Sequence, residues 1–175
     1  PVDQDGAPLM KGVLYGVDTR AANEIDELTA EIGAEKVLER CGNALTSQSV
    51  GPKILWLKRN HPELFARTHK VLNSTSFLVH RLTGNYTIDH YSACGSSPFY
   101  MADRLCWSDD LAPGHCGMEL MPDLLWTTDI AGQVTTKAAA ETGLAVGTPV
   151  IAGTIDAAAE AVSVGVLNSG DLMLM

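Results

Sequence analysis

The chain has 175 residues, 46% hydrophobic and 19% charged, with a formal net charge of −9. That apolar content suffices for a packed core and excludes a disordered chain, while 16 glycines without a triplet period exclude a collagen-like one. The charge is lopsided. Residues 1–81 hold ten acids and ten bases, but residues 82–175 hold eleven acids against Arg104 and Lys137 alone. No basic face is left for nucleic acid or an anionic membrane surface, so the expected partner is a small neutral molecule or a metal-bound anion.

In chain order, GVLYGVD (residues 12–18) is an apolar run ending on an acid and predicts a buried strand. Ile25, Leu28, Ile32, Val37 and Leu38 then recur at helical spacing, and Gly33 divides that stretch into two helices. Pro52 marks the first turn of a third helix with Ile54, Leu55 and Leu57 inward; Pro62 starts a fourth. STSFLVHRLTG predicts a Ser-capped helix closed by Gly84, and YTIDHYS a strand leading into a helix start. Residues 102–118, rich in Asp, Pro, Gly and Cys, read as irregular with a short helix around Trp107 to Leu111. In the last third, GQVT, KAAAETG, GTPVIAGTID, AAAEAVSVGV and GDLMLM alternate as strand, helix, strand, helix, strand, which indicates an α/β layer architecture.

Several familiar signals are missing: no G-x-x-x-x-G-K-[ST], no G-x-G-x-x-G after a strand, no G-x-S-x-G and no H-E-x-x-H. Cys41, Cys94, Cys106 and Cys116 lack C-x-x-C spacing, and no apolar signal-like or membrane-length segment occurs. We therefore expect a cytosolic protein with reduced thiols. Cys106, His115 and Cys116 are too loosely spaced to suggest a metal site, and the five histidines read as structural. Trp56 and Trp126 read as core or interface residues.

Two places remain for chemistry. Asp156 follows the apolar run from Pro149 to Ala152 and precedes an Ala-rich helix, where a carboxylate either caps the helix or accepts a proton from a hydroxyl group. Gly153, lacking a side chain, would let a ligand approach the backbone. Asp18 and Arg20 form a second polar pair, able to brace one another or to bind a polyol.

The stretches GNALTSQSVGPKILWLKRNHPELF, HRLTG, ETGLAVGTPVIAGTID and GVLNSGD occur in the order seen in the FGGY family of carbohydrate kinases, which the chain resembles from about Leu14 to Met175. YGVDTR is similar to the family's strand ending in Asp-x-Arg. The resemblance implies part of an actin-like, ribonuclease-H-like α/β domain. It also implies phosphoryl transfer from ATP, with Mg²⁺, to a small sugar, most simply a ketopentose such as xylulose. Gly153-Thr154-Ile155-Asp156 supplies the family's Gly-x-x-Asp motif, which implies that Asp156 is the catalytic base. Asp18, Arg20, Gln48, Gly153 and Thr154 become the implied sugar-binding residues. Gln48 and Val50 depart from the family's usual residues at those positions, and Ala157 stands where an amide residue is common, so sugar specificity does not carry over. No Asp-x-Gly-Thr phosphate strand pair is present. The resemblance therefore implies an interior portion of such a kinase: residues 1–165 as a partial N-terminal sugar-binding domain and 166–175 as the start of the ATP-binding domain. By itself such a portion would lack ATP binding and turnover; a homodimer is compatible with it. The competing expectations are a non-catalytic sugar-binding or regulatory protein derived from such a kinase, and an actin-like scaffold.

Overall fold

The computed structural model describes residues 1–166, 168 and 170–174. The helices fall where apolar spacing places them. α1 (Ala22–Ile32) buries Leu28 and ends at Gly33. α2 (Ala34–Cys41) buries Val37 and Cys41, whereas Leu38 lies on the outer face. α3 (Val50–Asn60) carries Pro52 in its first turn and turns Ile54, Leu55 and Leu57 inward; α4 (Pro62–Arg67) begins on Pro62. α1 lies against α3, and Arg59 of α3 makes paired bonds to Glu27 of α1. In α5 (Ser74–Thr83) the cap is Asn73 rather than a serine. Its side-chain oxygen accepts from the Ser76 N–H at 2.7 Å, an arrangement contributing about 1 kcal/mol. Gly84 closes that helix as expected.

The remaining α-helices and strands among the described residues are β1 (Thr87–Asp89), α6 (His90–Ala93), β2 (Tyr100–Met101), β3 (Cys106–Trp107), β4 (Asp123–Leu125), β5 (Ile130–Gln133), α7 (Thr136–Thr142), β6 (Pro149–Ile151) and α8 (Asp156–Ser163). β1 pairs in parallel with β4, while β2 with β3 and β5 with β6 are antiparallel. The α/β class is as expected. The strand–helix–strand unit in the last third is nonetheless an antiparallel return, not a parallel crossover. Bonds from Val134 N–H to the Thr148 carbonyl and from Gly147 N–H to the Val134 carbonyl fold the chain back after α7.

Three expectations are corrected. Residues 12–18 form no strand: Leu14, Tyr15 and Val17 stand 66%, 74% and 75% exposed, and a strand needs a partner for its backbone groups. Residues 171–174 of the GDLMLM run are likewise not a strand, and Met175 lies outside the described residues. Residues 107–111 form no helix, because Cys106 and Trp107 pair with Met101 and Tyr100 instead.

The main core joins Leu28, Val37, Ile54 and Leu55 of the helices to Phe99, Met101, Leu111 and Leu120 of the 99–120 stretch. Each large apolar side chain buried there contributes about 1.5–3 kcal/mol. A second, smaller cluster, Ile88, Ala93 and Tyr100 with Leu124 packed against it, holds β1 and β4 together. β1 and β4 run in the same direction, so Asp89 and Leu125 end together. The turn after β4 leads directly into β5, whose first residue, Ile130, faces Ile151 at the end of β6. Three chain segments, at 89, at 126–129 and at 152–156, thus emerge side by side.

Candidate functional site

One polar group is built on the 15–20 segment and the start of α3. The Arg20 guanidinium grips Asp18 through Nε to Oδ1 at 2.8 Å and Nη2 to Oδ2 at 2.7 Å, and the Arg20 backbone N–H also donates to Oδ1. The guanidinium carbon lies 4.8 Å from the centroid of the Trp56 ring, so the half-buried indole floors the pair. The Arg20 hydrogen bonds hold the Asp18 carboxyl below the usual carboxylate range, against an opposing effect of burial. Lys53 stands nearby: burial lowers its ammonium from the ordinary lysine value, and the attraction of Asp18 only partly offsets this. Gln48 joins the group through Tyr15, whose hydroxyl donates to Oε1 at 2.8 Å, and Ser47 donates to the Gly16 carbonyl. Gly51 lets the start of α3 approach the main chain closely, since a Cβ there would run into the Ser97 carbonyl and Pro98.

The second group is the loop from Ala152 to Asp156. The Ala152 N–H donates to the Asp129 carbonyl and the Gly153 N–H to the Thr127 carbonyl. Gly153 has φ +73°, and a Cβ there would meet the Thr75 methyl at 2.9 Å, so both backbone shape and space call for glycine. The Thr154 hydroxyl donates to Asp89 Oδ2 at 2.7 Å. Asp156 is the first residue of α8, and Ile155 occupies the cap position. The capping role open to Asp156 from its position is therefore not the one it takes. Its carboxylate accepts one hydrogen bond among the described residues, from the Ala157 N–H at 2.8 Å, and is otherwise exposed. A carboxylate at that end of a helix interacts favourably with the helix dipole.

The structure thus brings Asp18, Arg20 and Gln48 into one group and Gly153, Thr154 and Asp156 into another. No hydrogen bond or ion pair joins the two among the described residues. Asn43 donates to the Cys94 carbonyl and accepts from Ser97, and the Cys94 thiol lies on the His90 carbonyl beside Asp89. Asp89 is the residue that sequence reading passed over. It is 1% exposed, at the end of β1, and accepts from Tyr91 N–H, Ser92 N–H and the hydroxyls of Thr127 and Thr154. Trp126 lies obliquely 4.4 Å from His90 but is 46% exposed, so it is not the core residue expected from the sequence. The cysteines are unpaired, and burial pushes the Cys116 thiol up to about 12. Cys106 and Cys116 do not gather round His115, which instead lies 3.4 Å from Glu31. No helix among the described residues is long and apolar enough to cross a membrane.

The family model described as the FGGY family of carbohydrate kinases, N-terminal domain, matches residues 1–163. The chain is 34% identical to the xylulose kinase of Escherichia coli (strain K12) over 174 residues, which is 99% of this chain and 35% of that protein. It is 31% identical to the xylulose kinase of Bacillus subtilis (strain 168), over 97% of this chain and 34% of the relative. Among solved structures, xylulose kinase from Rhodospirillum rubrum superposes with a TM-score of 0.89 at 33% identity, covering 97% of this chain and 34% of that one. Glycerol kinase from Plasmodium falciparum with ADP matches at 0.81 and 20% identity, over 92% of this chain and 32% of its own, which speaks for the fold alone. The chain belongs to the FGGY family of carbohydrate kinases and carries that family's actin-like, ribonuclease-H-like α/β fold. It spans about a third of the length of these relatives.

Sugar kinases of this family use ATP and a divalent metal. Of the two cations beyond residue 81, Arg104 is engaged by Asp110 and Asp103. Among the described residues, the His, Cys, Asp and Glu side chains close enough to share an ion are Glu27, Glu31 and His115. They do not include Asp156, and Arg59 already holds Glu27.

Proposed function

We propose that the full-length protein is a sugar kinase that phosphorylates a hydroxyl of a ketopentose such as xylulose, and that this chain forms its sugar-side wall. The observation that carries the reading is the Asp156 carboxylate, exposed at the end of a loop pinned from three sides and hydrogen-bonded only to Ala157 N–H among the described residues. A carboxylate with free acceptor positions, held on a backbone fixed by hydrogen bonds, suits the removal of a proton from a hydroxyl. Asp156 takes the proton that the sugar oxygen must lose as it attacks phosphorus, a contribution of roughly 10²- to 10⁴-fold for general base catalysis. The resemblance to two xylulose kinases above 30% identity supports the substrate class.

In this reading Asp18, Arg20 and Gln48 bind the sugar. The Asp18–Arg20 pair presents a fixed array of donors and acceptors, and Tyr15 orients the Gln48 amide. Gly153 and Thr154 form the backbone wall beneath the reacting hydroxyl. Residues 1–165 belong to the sugar-binding domain and residues 166–175 begin the ATP-binding one. The groups that hold ATP and Mg²⁺ come from the rest of the protein, in a cytosolic enzyme. The test is a phosphorylation assay of the full-length protein against a panel of ketoses and polyols. The expected result is fastest turnover with a ketopentose. Sugar binding without phosphorylation of any member of the panel would overturn the reading.

A further inference from the structure

We propose that Asp89 is a positioning residue: its buried carboxylate fixes Thr154 and thereby sets the loop that aims Asp156, an inference that rests on the reading of Asp156 as the base. Asp89 is 1% exposed, and none of the ion pairs among the described residues includes it. A buried carboxylate without a cation must be compensated by hydrogen bonds. Two of them, from Tyr91 and Ser92 N–H, cap the four-residue helix α6. An Asn or Ser would cap that helix equally well, so capping alone does not call for an Asp.

The carboxylate also receives two hydroxyls: Thr154 donates to it at 2.7 Å and Thr127 at 3.5 Å. Both threonines belong to the segments that hold the loop. Thr127 also accepts the Gly153 N–H through its carbonyl, at 3.1 Å. From the other side, the Thr75 hydroxyl donates to the Thr154 carbonyl at 3.4 Å. Thr154 is therefore clamped through side chain and main chain, two residues before Asp156. Asp156 has no such clamp, so its direction follows from residues 153–155. The Thr154 hydroxyl, committed to Asp89, is not a donor to the sugar. Misplacing a catalytic group by about 1 Å costs on the order of 10²-fold in rate.

The experiment uses the full-length kinase, with kcat and sugar KM measured for Thr154→Val, Thr154→Ser, Asp89→Asn, the Asp89→Asn/Thr154→Val double variant and Asp156→Asn, and folding followed by thermal melting. Thr154→Val keeps the shape and deletes the hydroxyl. It should lower kcat by roughly 10- to 100-fold and leave sugar KM within about twofold. Thr154→Ser, which restores the hydroxyl, should return kcat to within about threefold of wild type. Asp89→Asn should be at least as impaired, and the double variant no worse than Asp89→Asn alone, since the two act as one unit. If Asp89→Asn fails to fold, the Thr154→Val and Thr154→Ser pair decides alone. Unchanged kcat in Thr154→Val, or a raised sugar KM with kcat intact, overturns the inference; the latter would make Thr154 a sugar ligand. Near-normal turnover in Asp156→Asn removes the base reading and this inference with it. An inactive Asp156→Asn beside a silent Thr154→Val removes only the inference.

Discussion

Asp18, on an irregular segment, and Asp156, at the first position of α8, are both carboxylates, and the protein holds them in opposite ways. Asp18 is saturated: a two-pronged bond from its neighbour Arg20, a backbone N–H and a tryptophan floor leave it rigid and strongly anionic. Asp156 keeps its oxygens open while the loop before it is fastened to Thr127, Asp129, Thr75 and Asp89. A group whose capacity is spent on protein partners can recognise a ligand through the shape it presents, but it is poorly placed to take a proton. A group whose backbone is fixed and whose side chain is free is suited to chemistry. Under the proposed function, that difference fits sugar binding in the first region and proton transfer in the second.

The strongest way to break that division is Asp156→Asn in the full-length enzyme. Turnover should fall by about 10³-fold or more in a steady-state assay, with the thermal midpoint unchanged. Turnover near the wild-type level would leave Asp156 without its role. Arg20→Ala should act on the other side of the comparison. Sugar KM should rise roughly 10- to 100-fold, the size expected for hydrogen bonds to a charged group, with a smaller change in kcat. A fall in kcat at constant KM would place Arg20 in the chemical step instead.

Smaller effects sharpen the first region. Tyr15→Phe removes the hydroxyl that orients Gln48 and should raise sugar KM by about threefold, a single neutral hydrogen bond's worth. The pH dependence has a definite sign. The folded-state pKa of Asp18 is lowered by Arg20, so the pair's stabilisation is complete above the ordinary carboxylate value of about 4 and disappears as pH falls through the depressed value. Carboxyl titration followed by NMR should show Asp18 ionised below the pH at which free aspartate protonates, and Arg20→Ala should move it upward. The smallest expected effect lies in the thiols. Burial raises both Cys41 and Cys116, so alkylation of these two at pH 8 should be slow in the native protein and fast after denaturation.

The helices were legible because each is written locally. Leu28, Val37, Ile54, Leu55 and Leu57 recur at the helical period, and Gly33, Pro62 and Gly84 punctuate them. The apolar runs at 12–18 and 171–174 misled for the opposite reason, since a strand exists only where another strand accepts its hydrogen bonds, and no local pattern reports that. The same limit explains the irregular region, where the two-residue pairing of β2 with β3 displaced the expected helix. At the site, Asp156, Asp18 and Arg20 stood out as polar residues closing apolar runs. Asp89 also closes an apolar strand, in TIDHYS, but it gained meaning only from Thr154, 65 residues away. A contact that distant leaves no spacing to read.

The division of labour is tested most directly by calorimetric titration of the same ketopentose into the full-length Asp156→Asn and Arg20→Ala proteins, side by side. Asp156→Asn should bind the sugar within about twofold of wild type despite its lost turnover, and Arg20→Ala should bind at least about tenfold more weakly. Equal loss of sugar affinity in the two proteins would show that both carboxylate regions serve binding, and would remove the distinction between them.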